Sequence, residues 1–96
     1  MTTAELAGVV AAVREILEAF GHPQKAAWLA ERERVLEAAQ SLDGVKSTVE
    51  ELHSVVLGMD GLFDLPLAAT SAADGEAARA KLDELADRLF ELTRVT

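Results

Sequence analysis

Val55-Val-Leu-Gly-Met-Asp-Gly-Leu-Phe-Asp-Leu-Pro-Leu67 is the stretch on which the fold turns. Its hydrophobic residues continue after helical spacing has been broken. Gly58 and Gly61 interrupt a helix and Pro66 forbids an easy restart, yet Met59, Leu62, Phe63, Leu65 and Leu67 still favour burial. The stretch therefore reads as an apolar connector packed against the body of the protein, either extended or as a single helical turn. Everything on either side of it has the spacing of amphipathic helix.

Upstream of the connector, Val45, Val49, Leu52 and Val56 step by four, three and four residues, which predicts helix three over about residues 45–57. Downstream, Ala68–Ala73 reads as a loop in which Thr70, Ser71 or Asp74 supplies an N-cap. Ala78, Leu82, Leu85, Leu89 and Leu92 then form the clearest apolar seam in the chain, that of helix four, with Phe90 widening it. Glu84 with Arg88, and Glu91 with Arg94, read as local pairs along this helix.

Earlier in the chain, Thr2 and Glu5 have the spacing of a capping box. Leu6, Val9, Val10, Val13, Ile16, Leu17 and Phe20 then predict helix one over about 4–20. Gly21 suits a left-handed C-terminal residue and Pro23 the first turn of the next helix, so the link is short and the two helices run antiparallel. Helix two, about 23–40, places Trp28, Leu29, Val35, Leu36 and Ala39 on its inner side, and the break at Ser41-Leu42-Asp43-Gly44 ends it. The expected fold is all-α, an antiparallel four-helix bundle with an apolar connector between helices three and four, in one helical domain over residues 1–96. In that arrangement Phe20, Trp28 and Phe63 share one end, which the connector plugs.

The 96 residues carry a formal charge of −8, which repels a phosphate backbone, and no local cluster of Lys or Arg offsets it. Nucleic acid is therefore not an expected partner, and the acidity reads as a solubility device. No apolar run approaches the roughly 18 residues that a membrane span needs. Glu5 precedes any apolar run and no basic segment opens the chain, so a secretory signal is not expected and the cytoplasm is the default compartment. The absence of cysteine removes disulfides, thiol nucleophiles and thiolate metal sites.

Candidate chemistry is sparse. Glu15 with Glu18, and Glu84 with Asp87, form acidic pairs whose three-residue spacing puts both carboxylates on one helical face, an arrangement able to hold Mg²⁺ through oxygen. The pattern resembles the ExxE and ExxD elements of the all-α nucleotide pyrophosphohydrolases of the MazG type, which implies a Mg²⁺-dependent phosphohydrolase as one alternative. With 11 glutamates in the chain such pairs also arise by chance, and solvated helix faces are the plainer reading. His22 and His53 have no second ligand at helical metal spacing; the first fits the interhelical turn, the second a boundary position bonded to backbone or solvent. Ser41, Ser47, Ser54 and Ser71 lack a nucleophile-elbow context. Trp28 reads as a mostly buried anchor. No cofactor is expected.

The connector also carries a resemblance. Gly58-Met-Asp-Gly-Leu-Phe-Asp-Leu-Pro-Leu67 is similar to the Gly-Met-Gly-Ser-Leu-Asn-Asp-Leu-Val-Leu stretch of a family of short uncharacterised bacterial proteins, in which a helical hairpin precedes it. The His22-Pro23 turn with Trp28 and Leu29 is similar to that family's earlier half. Gly58, Met59, Leu62, Asp64, Leu65 and Leu67 match, while Asp60, Gly61, Phe63 and Pro66 depart from the pattern. The resemblance implies a shared motif and no particular reaction. Gly58, Met59, Leu62, Phe63, Asp64 and Leu65 are thus the candidate interaction or structural motif. The reading that follows is a small non-enzymatic interaction or accessory protein with a protein partner, its surplus apolar stripe favouring a homodimer. A binder of small apolar ligands beneath the connector is the other alternative.

Overall fold

The computed structural model describes residues 3–41, 43–57, 61–62 and 65–94, with the side chains of Asp43 and Leu57 excepted. Among them are four α-helices: α1 (Thr3–Ala19), α2 (Pro23–Ala38), α3 (Lys46–Leu57) and α4 (Ala72–Thr93). A 3-10 turn, Asp43–Val45, leads into α3, and the described residues contain no strand. Thr2, the expected capping residue of α1, lies outside the described residues.

Three of the helix ends have a local cause. At the end of α1, Gly21 adopts φ 97°, and the His22 N–H donates to the Leu17 carbonyl at 2.8 Å, the long backbone bond of a Schellman stop. Only a residue without Cβ takes that conformation at no cost, and a Cβ at Gly21 would also stand 3.1 Å from the Cβ of Ala68. His22 then occupies the N-cap of α2 without a side-chain cap bond, and Pro23 follows in the first turn. At the start of α4, Ser71 is the N-cap, its Oγ accepting from the Asp74 N–H at 3.1 Å.

Packing runs from α2 to α1, from α1 to α4 and from α4 to α3. Leu6, Val10, Val13 and Leu17 of α1 are fully buried at the centre of this chain of contacts. Around them lie Leu29 and Leu36 of α2, Leu52 and Val56 of α3, and Leu82, Ala86 and Leu89 of α4. Each large side chain so buried is worth roughly 1.5–3 kcal/mol against leaving it in water. The beginning of α4 lies by the end of α1, where the Ala68 N–H donates to the Phe20 carbonyl at 2.9 Å. Farther along, Arg88 of α4 meets Glu5 of α1 at 2.9 Å.

Two buried stripes differ from the expected ones. On α2, Val35 is 44% exposed rather than turned inward; Ala26, Leu29 and Leu36 make the inner stripe, and Trp28 and Ala39 are half-buried. On α4 the buried line is Ala78, Leu82, Ala86, Leu89 and Thr93, which leaves Leu85 and Leu92 half-covered at its margin. Ala78, Leu82 and Leu89 fall where spacing placed them, but the small Ala86 and the hydrogen-bonded Thr93 at the helix end take the places expected of Leu85 and Leu92.

Helix lengths explain the connector. At 1.5 Å per residue the 22 residues of α4 span roughly 33 Å, whereas the 12 residues of α3 reach only about 18 Å. α3 lies against the C-terminal half of α4, as the contacts of His53 with Phe90 and Thr93 show. The N-terminal half is flanked by the connector instead: Leu62 and Leu65 are buried, and the Leu62 N–H folds back to the Val55 carbonyl at 3.2 Å.

Candidate functional site

Of the six motif residues, Leu62 and Leu65 are buried in the core, while Gly58, Met59, Phe63 and Asp64 lie outside the described residues. The placement of Phe63 beside Phe20 and Trp28 therefore also falls outside them. The connector is tied down by a side chain that sequence spacing did not single out. Arg79 of α4 donates from Nη1 to the Leu65 carbonyl at 2.7 Å and from Nη2 to the Leu62 carbonyl at 2.6 Å. Its remaining edge, Nε and Nη2, bonds Asp83 Oδ1 at 3.0 and 2.6 Å. The planar guanidinium thus joins a carboxylate one helical turn away to two carbonyls whose own N–H partners cannot be supplied by a helix. The sequence signal was the Arg79–Asp83 spacing beside an apolar segment with broken periodicity. At the far end of the connector, the Pro66 carbonyl accepts from the Nε2 of His22, so the interhelical turn of α1 and α2 holds it too.

An open cleft of about 700 Å³ lies where α2 begins, lined by Gly21, His22, Pro23, Gln24, Lys25, Trp28 and Val55. Trp28 is half-buried rather than mostly buried, and the Arg32 guanidinium lies 4.1 Å from the centre of its ring, a cation–π contact. Arg32 then reaches Glu51 of α3 at 2.8 Å and Glu31 at 3.1 Å. This bridge spans α2 and α3 above an apolar wall formed by Trp28 and Val55. On the other side of α2, Arg14 bonds both Glu33 and Glu18 at 3.0 Å. The Glu33 carboxylate, and after it that of Glu18, raise the already high guanidinium pKa, so Arg14 is a fixed positive charge.

The four carboxylates of the acidic pairs are all exposed, and each pair is drawn into local contacts. Glu18 bonds Arg14, and Glu84 stands 3.9 Å from Lys81. Among the described residues no three His, Asp or Glu side chains gather as metal ligands. The expected Glu84–Arg88 pair is replaced by Arg88 with Glu5, whereas Glu91 and Arg94 do approach, at 3.6 Å. His53 bonds a side chain: its Nδ1 lies 3.0 Å from Thr93 Oγ1 and its ring stacks on Phe90 at 4.8 Å. No helix among the described residues is long and apolar enough to cross a membrane.

Comparison with protein-family models, with curated proteins and with solved structures finds no match to this chain.

Proposed function

We propose that this chain is a small acidic, non-enzymatic interaction or accessory protein of the cytoplasm, built as an antiparallel four-helix bundle whose connector stabilises the scaffold and borders the contact surface. The single observation that supports this reading is the open cleft between the start of α2 and Val55 of α3. It exposes an aromatic and an aliphatic wall beside a connector already fixed by Arg79 and His22. Rigid backbone around an accessible apolar surface is what a docking site for a side chain of another protein requires, because little ordering cost remains to be met on binding. The resemblance of the connector to the short bacterial family adds a shared motif to this reading and no reaction.

The test is capture of partners from the native cell by the tagged full chain, run beside a Trp28→Ala variant whose helical content and melting are checked first. A protein retained by the parent chain and lost from the variant supports the reading. Retention of the same proteins by both removes the cleft from it. The cleft volume also falls in the range of small-molecule pockets, so a small apolar ligand is the second reading. Native mass spectrometry of the purified chain, showing a bound compound displaced by denaturation, would favour that one.

A further inference from the structure

α2 is an edge helix. Its inner residues Ala26, Leu29 and Leu36 face the core, and α1 is the helix it packs against. The opposite face carries Ala27, Glu31, Arg34 and Ala38, all exposed, with Val35 exposed and Trp28 half-buried along one flank. Val35 is the exposed large hydrophobic residue among the described residues. Arg34 makes no ion pair among them, and Glu31 reaches only its neighbour Arg32, through Oε2. The outer face is thus apolar at its ends and flank, and holds one acid and one base at its centre.

We infer that this face of α2 binds a second copy of the same chain, the two α2 helices crossing antiparallel about a twofold axis. The positions 27, 31, 34 and 38 are spaced by four, three and four residues, the spacing of a coiled-coil seam. In an antiparallel pair with the axis between Arg32 and Glu33, symmetry sets Glu31 against Arg34 of the second copy and Arg34 against its Glu31. The same register sets Ala27 against Ala38, where small side chains let the helices approach closely, and brings Trp28 alongside Val35. An isologous interface must be its own complement, and here acid meets base, alanine meets alanine, and the apolar flank residues lie together. Shifting the register by one turn opposes residues of like kind and loses the match. A single pair of helices this short buries less than the roughly 1,200 Å² of a standard interface, so the dimer is a weak one.

The proposal goes beyond the cleft reading and concerns a different partner; the two surfaces share Trp28, so the test alters Glu31 and Arg34, which do not line the cleft, and its failure leaves the cleft reading standing. Sedimentation equilibrium of the full chain from about 10 to about 500 µM at low salt tests it, because a weak dimer dissociates by mass action on dilution. The expected result is an average mass that rises from 10.2 kDa toward twice that value. Glu31→Arg and Arg34→Glu each set like charges against one another twice by symmetry, and each should weaken association at least about tenfold. Mixing the two single variants restores opposite charges at both contacts, as does combining the substitutions in one chain, and both should recover association. Both positions altered by these tests are exposed, and circular dichroism of each variant records that it is folded. A chain that stays at its monomer mass throughout overturns the proposal. So do single variants that associate as well as the parent, and so does failure of both the mixture and the double variant to recover.

Discussion

Arg79 and Leu62 are joined across the connector by a hydrogen bond of 2.6 Å from the guanidinium Nη2 to the backbone carbonyl. The same guanidinium reaches the Leu65 carbonyl at 2.7 Å. Both acceptors belong to buried residues, so removing the donor leaves carbonyls that water reaches poorly. Arg79→Lys keeps the charge but loses the fork that serves two carbonyls and Asp83 together. The expected cost is about 1–3 kcal/mol, read as a lower urea midpoint with the slope unchanged. Amide exchange at Leu62 and Leu65 should quicken more than exchange in the middle of α1. A variant as stable as the parent would mean that the connector is held by its leucines alone.

Those leucines are the second test of the connector. Leu62 is fully buried, so Leu62→Ala should cost about 2–5 kcal/mol through lost transfer and a residual cavity. Leu67, only half-buried, should cost markedly less on the same substitution. Equal and small losses at both positions, measured by thermal unfolding, would make the connector a dispensable flap.

Gly21 gives a prediction on backbone strain. With φ 97° and a neighbouring Cβ at 3.1 Å, Gly21→Ala meets both a conformational and a steric penalty. The conformational part alone is roughly 1–2 kcal/mol. Gly21→Asn, which tolerates the left-handed region better, should retain more stability than Ala despite its larger size. The order of the two urea midpoints decides the matter, and Ala above Asn would show that the contact with Ala68 dominates.

The acidic pairs yield a prediction of no effect. Glu15, Glu18, Glu84 and Asp87 are exposed, and Glu18 and Glu84 already face cationic side chains. A Mg²⁺ or Mn²⁺ titration to low millimolar should leave the melting temperature unchanged, since only a ligand that prefers the native state raises it. A clear rise that Glu18→Ala abolishes would revive the phosphohydrolase reading.

The helices were legible in the sequence because their signals are local. Gly21 and Pro23 mark one turn, Ser71 caps α4, and the spacing of Val45, Val49, Leu52 and Val56 fixes the inner face of α3. The burial of Leu62 and Leu65 was legible too, from apolar residues persisting where no helix continued. The tether that fixes them was not, since Arg79 meets carbonyls 14 and 17 residues away and that approach exists only once α4 has packed. Val35 was misread for another reason. The alanines of α2 allow more than one stripe to look internal, and only its position at the edge of the packing decides which one is covered.

His53 and Thr93 supply the last prediction, because their geometry fixes a proton. Thr93 Oγ1 lies 2.7 Å from the Leu89 carbonyl, which can only accept, so the single hydroxyl proton points there. Toward His53, at 3.0 Å, the same oxygen must then accept, and the imidazole Nδ1 must carry a proton. That holds for the neutral Nδ1–H tautomer and for the imidazolium alike. Thr93→Val preserves shape and removes the acceptor. Because His53 is half-buried its ring can turn partly toward water, and the expected cost is about 1 kcal/mol, at the low end for an unsatisfied donor. Nitrogen chemical shifts of the ring should show Nδ1 protonated in the neutral form of the parent chain. Finding the proton on Nε2 instead would require the Thr93 hydroxyl to donate to His53, and the bond to Leu89 would have to be given up.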